Sequence, residues 1–271
     1  MGWINTLHAL VEPPIDLFYK VLPSKRPTQY QIQRTQIIAH RGDHLNYTEN
    51  SLQALDSCVK HGIFGVEIDI QWTKDLVPII FHDPSTKRVF PQNADVYLKD
   101  LNYSEISLLF PSIPTLDEVV AKFANRLHLM FEIKPQDWMD DSQKQTAKSI
   151  LQEKLSPMTV GKNFHFLFFR EAECSLLIPE FIQHSFLIAE LNMYAQLNRV
   201  VERDMKGLCC HYALVTPKLR KQVYLQKKQL GVGYPGSKNA YYRECRLGTD
   251  FVFTNDALQL QSIKNETLKQ L

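Results

Sequence analysis

Gly65-Val66-Glu67-Ile68-Asp69-Ile70-Gln71 alternates apolar and polar residues without a break. Successive strand side chains point to opposite faces, so Val66, Ile68 and Ile70 share one face while Glu67, Asp69 and Gln71 share the other. In a barrel the apolar face meets the surrounding helices and the acidic face points inward, toward the mouth. Two carboxylates side by side repel each other, and burial adds a desolvation cost. A divalent cation removes both penalties, because hard cations take carboxylate oxygens. Taken alone, the stretch equally fits an amphipathic strand with a solvated acidic face.

Working outward, short β-rich runs recur at 36–40, 64–71, 78–82, 127–134, 164–169, 185–190, 207–211, 230–234 and 250–254. Helical patterns lie between most of them, as at 51–60, 116–123, 143–155 and 218–228. Strand–helix alternation of this kind predicts a parallel α/β fold. A TIM-type (β/α)8 barrel occupies roughly 250 residues, which suits the length. The runs outnumber barrel strands by one. Lys74-Asp75-Leu76 leaves no room for a crossover helix, so 64–71 and 78–82 are expected to pair as a hairpin. Residues 84–114 show little periodicity and read as a loop-rich insertion after the His82-Asp83 strand. The expected organisation is an N-terminal helical extension (1–35), the barrel domain (36–258) and a C-terminal helix or tail (259–271).

Composition narrows the class. Of 271 residues, 44% are hydrophobic and 22% charged, which excludes a disordered or fibrous chain. A net charge of +2 gives no basic excess for nucleic acid. No run approaches the roughly 18 apolar residues of a membrane span. The cysteines (Cys58, Cys174, Cys209, Cys210, Cys245) are odd in number and lack metal-ligand spacing. They fit buried small hydrophobes in a reducing, cytoplasmic compartment. The start of the chain lacks a secretory pattern. Trp3, Leu7, Leu10 and Val11 recur at helical spacing up to Pro13-Pro14. They predict a helix packed on the body, the alternative being peripheral contact with a membrane, although the basic polar face usual for that is missing. Gly2 with Thr6 fits a loose myristoylation pattern.

Further chemistry-bearing residues lie at strand ends. Met130-Phe131-Glu132-Ile133-Lys134 repeats the alternation and puts Glu132 and Lys134 on one face. A strand-end ion pair is the simple reading, but three carboxylates from two strands could converge on one Mg²⁺ or Ca²⁺, with Lys134 close enough to meet an anionic substrate. His40 and His82 end two further runs. A lone histidine there is usually structural, whereas a pair flanking a carboxylate site can give and take a proton near neutrality. Arg41 offers a planar fork for a phosphoryl group, and Gly42 lets backbone approach it. Glu49-Asn50 opens the next helix, where Asn50 either caps it or reaches across the site.

The order His40-Arg41-Gly42, Glu49-Asn50-Ser51, Glu67-x-Asp69, His82-Asp83, Glu132-x-Lys134 resembles the glycerophosphodiester phosphodiesterase family, whose fold is a TIM-type barrel of the phosphatidylinositol-phospholipase C kind. The stretch 247–256 resembles that family's last strand, so the likeness runs over about 36–258. The resemblance implies that Glu67, Asp69 and Glu132 bind one divalent cation. It makes His40 and His82 the acid/base pair, Arg41 and Lys134 the phosphate ligands, and Glu49 and Asn50 supporting residues. The implied reaction hydrolyses a glycerophosphodiester to an alcohol and sn-glycerol 3-phosphate, with a small-molecule or lysolipid diester as substrate and no nucleic acid as partner. Lysophospholipase D or sphingomyelinase D-like activity is the alternative within enzymes. Outside enzymes the alternative is a silent barrel binding phospholipid head groups or a protein. The His82-Asp83 pairing favours the glycerophosphodiester reading over sphingomyelinase D.

Two places depart from the family pattern. Phe168-Phe169 stands where the family usually has Ser-Phe, and Gly233-Tyr234-Pro235-Gly236 where it usually has Trp-Thr-Val-Asn. Aligning Gly233 with the Trp predicts a wider pocket, because alternation would turn Tyr234 away unless the strand end lets it swing inward. Gly231 to Gly236 also matches G-x-G-x-x-G, but too few elements follow for a dinucleotide unit. Cys209-Cys210 is expected to be a buried strand pair.

Overall fold

In the computed structural model, which describes residues 15, 17–169 and 179–271, the strands are β1 Gln36–His40, β2 Gly65–Trp72, β3 Pro78–Ile80, β4 His128–Ile133, β5 Phe164–Phe168, β6 Ser185–Ala189, β7 Gly207–His211, β8 Gln229–Gly233 and β9 Phe251–Thr254. All but β3 pair in parallel, and β1 bonds both β2 and β9, which closes the ring. β3 runs antiparallel on β2, outside the ring. The expected barrel and hairpin are both present. β2 extends past its neighbours, and β3 brings the chain back so that Phe81 N–H reaches the Asp69 carbonyl at 2.9 Å. His82 therefore reaches the mouth from an antiparallel return rather than from the end of a parallel strand.

Alternation sorts the barrel into two apolar layers. Ile37, Val66, Ile68, Leu129 and Phe131 face outward into the core shared with the helices. Ile38, Met130, Leu167, Phe186, Phe251 and Phe253 pack inside the ring. Burying both layers is the main driving force for this fold, at about 25 cal/mol per Å² of apolar surface. The strand registers Gly65↔His128, Glu67↔Met130 and Asp69↔Glu132 put His128 at the floor, Met130 at mid-height and Glu132 at the mouth. Gly231, the first glycine of the G-x-G-x-x-G match, is needed for packing. A Cβ there would stand 2.5 Å from Cys209 Sγ and 2.8 Å from a Phe253 ring carbon.

The insertion is more ordered than its aperiodic sequence predicts. Asn102 and Glu105 form a reciprocal capping box that starts a helix, Tyr103–Leu109. Ile79, Phe81, Leu98, Ile106, Phe110 and Ile113 make a separate small core that binds the insertion to β3. At the N-terminal side, helix Gln29–Arg34 packs on Lys238–Arg246 and Ala257–Lys269, and Arg34 pairs with Asp250 at 3.0 Å. The predicted helix at Trp3–Val11, Gly2 and Cys174 lie outside the described residues. Cys58, Cys209, Cys210 and Cys245 are free and buried. Among the described residues, no helix is long and apolar enough to cross a membrane.

Candidate active site

The mouth is built by the turn after β1. Arg41 (φ 56) and Gly42 (φ 77) are both left-handed, and a Cβ on Gly42 would meet Ala54 Cβ at 2.9 Å, so glycine is required there. The turn is held by Arg41 N–H donating to the Glu67 carbonyl at 2.8 Å and to Glu67 Oε2 at 3.3 Å. Ser51 caps helix Leu52–Lys60. Asn50 is thereby free for its other expected part, and its Nδ2 donates to Asp69 Oδ2 at 2.8 Å.

The carboxylates of Glu67, Asp69 and Glu132 are all buried, and each offers an oxygen within 4.8 Å of the other two. Lys134 Nζ lies 2.8 Å from Asp69 Oδ1 and bonds Glu132 Oε1. Arg41 Nε is 3.6 Å from Asp69 Oδ2. Burial pushes the Glu67 carboxyl well above the usual carboxylate range, and the charges of Asp69 and Glu132 push it further. Burial acts on Asp69 in the same direction, but Lys134, His82 and Arg41 outweigh it and hold that group below the usual range. Glu67 Oε1 is buried with no hydrogen-bond donor. An all-oxygen donor set with an unsatisfied buried oxygen fits a hard divalent cation.

The two expected histidines are set up differently. His40 Nδ1–H donates to Asn255 Oδ1 at 2.8 Å, which leaves the Nε2 lone pair facing Glu67 Oε2 at 3.8 Å. Burial, then the Arg41 charge, lowers its pKa to about 3, so the ring is neutral. His82 Nδ1–H instead donates to Asp83 Oδ1 at 2.5 Å, and a carboxylate in that position offsets positive charge on the ring. The segment carrying His82 is fixed from β2, where Gln71 Nε2 donates to the Phe81 and Asp83 carbonyls at 3.0 and 2.5 Å.

The structure thus brings His40, Arg41, Glu49, Asn50, Glu67, Asp69, His82, Glu132 and Lys134 to one mouth. Sequence reasoning missed Asn255, although it lies within the quoted last-strand stretch. It also missed Arg88, which pairs with Glu49 and Asp83 at 2.6 Å each and sits in the insertion dismissed as aperiodic.

These groups open onto a pocket of about 330 Å³. It is lined by His40, Arg41, Glu67, His82 and Glu132 from the first half of the chain and, from the second half, by apolar Leu167, Phe169, Ile188 and Phe253 together with polar Glu190 and His211. Tyr234 also lines the pocket, with its ring centroid 5.1 Å from that of His40. Strand alternation ends at Gly233, so Tyr234 turns inward. Tyr234 thus gives the pocket an aromatic side next to His40.

Residues 40–178 match the Glycerophosphoryl diester phosphodiesterase family. The chain is 34% identical over 132 residues to human glycerophosphodiester phosphodiesterase 1, covering 43% of this chain and 39% of the relative. It is 32% identical over 100 residues to a glycerophosphodiester phosphodiesterase of Caldanaerobacter subterraneus, covering 37% of this chain and 40% of the relative. The match therefore spans about two fifths of these relatives' length. The fold is similar to that of a glycerophosphodiester phosphodiesterase from Thermotoga maritima (TM-score 0.71, 22% identity, 84% of this chain and 98% of that one). It is also similar to that of an Oleispira antarctica phosphodiesterase in complex with the product sn-glycerol-3-phosphate (TM-score 0.67, 23% identity, 85% and 96%).

Proposed function

Since the chain belongs to the glycerophosphoryl diester phosphodiesterase family, we propose that it hydrolyses a glycerophosphodiester to an alcohol and sn-glycerol 3-phosphate. The observation that carries this reading is the pair of oppositely prepared histidines beside a buried carboxylate trio in one pocket. His40, neutral with its Nε2 lone pair unshared, is the general base that takes a proton from the attacking oxygen. That oxygen belongs either to a water, which gives glycerol 3-phosphate directly, or to the glycerol 2-hydroxyl. In the second case a water then opens the resulting cyclic phosphate at its P–O2 bond to give glycerol 3-phosphate. His82, backed by Asp83, is the general acid that protonates the leaving alcohol oxygen. Arg41 and Lys134 hold the phosphoryl oxygens and offset the charge that grows on them. Glu49 orients Arg41 through the 3.1 Å contact to its Nη1, and Asn50 orients Asp69.

Glu67, Asp69 and Glu132 would hold one divalent cation, Mg²⁺ or Ca²⁺. When bound, it supplies Lewis-acid stabilisation of phosphoryl charge. A second substrate reading has a specific observation behind it. The apolar side formed by Leu167, Phe169, Ile188 and Phe253 fits a lysolipid diester, with the same bond cleaved by a lysophospholipase D-type reaction.

The test is product analysis with glycerophosphocholine, glycerophosphoethanolamine and lysophosphatidylcholine. Glycerol 3-phosphate from the first two supports the main reading. Lysophosphatidate and choline from the third alone support the lysolipid reading. No cleavage of any of them, with Mg²⁺ or Ca²⁺ present, contradicts both.

A further inference from the structure

Arg88 comes from the insertion, not from the barrel, yet it joins two arms of the mouth. Its Nε and Nη2 donate to Asp83 Oδ2 and Oδ1 at 2.6 and 3.1 Å. Its Nη1 and Nη2 donate to Glu49 Oε2 and Oε1 at 2.7 and 2.6 Å. Both carboxylates are thus gripped at both oxygens by one planar fork, a geometry only a guanidinium provides. Beyond them, Asp83 accepts from His82 at 2.5 Å and Glu49 accepts from Arg41 at 3.1 Å. The result is one continuous chain of hydrogen bonds: His82, Asp83, Arg88, Glu49, Arg41.

The loop that carries Arg88 is built to hold it. Buried Thr86 donates from its hydroxyl to the Ala94 carbonyl at 3.1 Å, and Val96 N–H donates to that hydroxyl at 3.2 Å. Two residues past Arg88, the Phe90 ring stacks on Phe81 at 6.1 Å and packs on Phe110 at 5.1 Å. Arg88 itself is 49% exposed. Its two partners are largely buried, Glu49 at 12% and Asp83 at 20% exposed, and each leads on to a residue of the mouth.

We propose that Arg88 is a positioning residue that keeps the His82–Asp83 proton-transfer arm and the Arg41 phosphate arm in one fixed frame, so that proton donation and phosphate binding are aligned on the same substrate. This rests on the catalytic reading of the pocket given above. With Arg88 removed, Asp83 and Glu49 lose their shared clamp. Asp83 then lets the His82 ring rotate, and Glu49 draws Arg41 away from the phosphoryl oxygens. A displacement of about 1 Å in such groups costs on the order of 10²-fold in rate.

The experiment compares wild type, Arg88→Ala and Arg88→Lys on whichever diester of the panel above the wild type cleaves fastest. Arg88→Ala is expected to lose ~10- to 100-fold in kcat and to raise KM at a temperature where the variant is fully folded, a loss larger than any fall in its melting temperature explains. Added guanidinium ion, below denaturing concentration, should restore part of the Arg88→Ala kcat, while equal sodium chloride should not. Arg88→Lys, a single point charge, should fall between the two and show no guanidinium response. An active wild type with unchanged kcat and KM in Arg88→Ala overturns the proposal and leaves the catalytic reading intact. So does a loss that tracks melting temperature without guanidinium rescue. If Arg88→Ala does not fold, wild-type kinetics in Arg88→Lys overturn it. An inactive wild type overturns the catalytic reading and this proposal with it.

Discussion

Strands β1 to β4 and strands β5 to β9 obey the same alternation, yet they send different chemistry into the pocket. The first group delivers His40, Glu67, Asp69, Glu132 and, just beyond the strands, Arg41, His82 and Lys134. The second delivers mostly apolar surface, with Leu167, Ile188, Cys209 and Phe253 on the pocket wall. The charged side is stiffly bonded, because its buried polar groups must be satisfied and almost every one holds another in place. The apolar side is held by packing, which tolerates changes of shape provided volume is kept. In the proposed reaction the charged groups come from the first half, with Asn255 of the second holding His40, and the apolar second half is the side proposed to meet the glycerol end of the substrate and any acyl chain on it. The first half is also where most of the family-like motifs fall.

The comparison is tested hardest at the carboxylates. Glu67→Gln or Glu132→Gln should lower kcat/KM by ~10³-fold or more, the scale of several kcal/mol of lost charge stabilisation. The folded protein should persist, since removing one of three repelling buried carboxylates relieves strain. Steady-state kinetics beside circular dichroism check both halves of that statement. Activity within tenfold of wild type would move the chemistry elsewhere.

Next in size are the histidines. His40→Ala and His82→Ala should each lose at least ~10²-fold in kcat. The double variant should lose much less than the product, because both serve one proton-transfer sequence. Multiplying losses would mean independent roles.

A smaller effect is expected across the pocket. Tyr234→Ala removes the wall that packs on His40 and should shift the ratio of kcat/KM between lysophosphatidylcholine and glycerophosphocholine toward the lysolipid. A lost aromatic contact of ~1–2 kcal/mol corresponds to roughly 5- to 30-fold. A Cβ on Gly233 meets nothing within 4 Å, so Gly233→Trp should be tolerated and move the ratio the other way. Competition assays with both substrates read the ratio directly. If either variant changed turnover of both substrates equally, the division of labour between the two sides would be wrong.

The smallest effect lies at the floor and leaves the chemistry alone. His128 Nδ1–H donates to the Lys162 carbonyl at 3.1 Å, so its Nε2 accepts from His165 Nδ1–H at 2.8 Å. Burial lowers His128 to about 4, and burial, then the charge of His128, lowers His165 to about 3. Both stay neutral in the folded state while the unfolded chain takes up protons below about pH 6.5. Stability from this pair is thus complete above that pH and is lost as pH falls toward 4, by about 2 kcal/mol per histidine at pH 5. Urea unfolding of wild type and His165→Phe at pH 7 and pH 5 should show the gap in stability shrinking at the lower pH. A constant gap would contradict it.

Much of this was legible in the sequence because period-2 alternation reports both strand identity and facing. Parity puts Glu67 with Asp69 and Glu132 with Lys134 on one face of each strand, the family resemblance implies that the three carboxylates meet, and the short Lys74-Asp75-Leu76 link discloses the hairpin. Tyr234 was harder, since parity ceases to constrain a residue once the strand has ended. Arg88 was hidden for another reason. Its segment is organised by Thr86 hydrogen bonds and an aromatic stack around Phe90, contacts made across the chain that leave no periodic trace. The Asn102–Glu105 capping box was a local signal that could have been read. Asn255 lies in a stretch that was recognised, but its bond to His40 joins residues far apart in sequence.

The central claim, that β2 and β4 together build a cation site in the charged half of the pocket, is tested most directly by isothermal titration of the metal-free protein with Mg²⁺ and with Ca²⁺. One site per chain is predicted for at least one of these ions, and it should be weakened strongly in both Glu67→Gln and Glu132→Gln. Unchanged affinity in the two variants, or no binding of either ion by folded wild type, would contradict it.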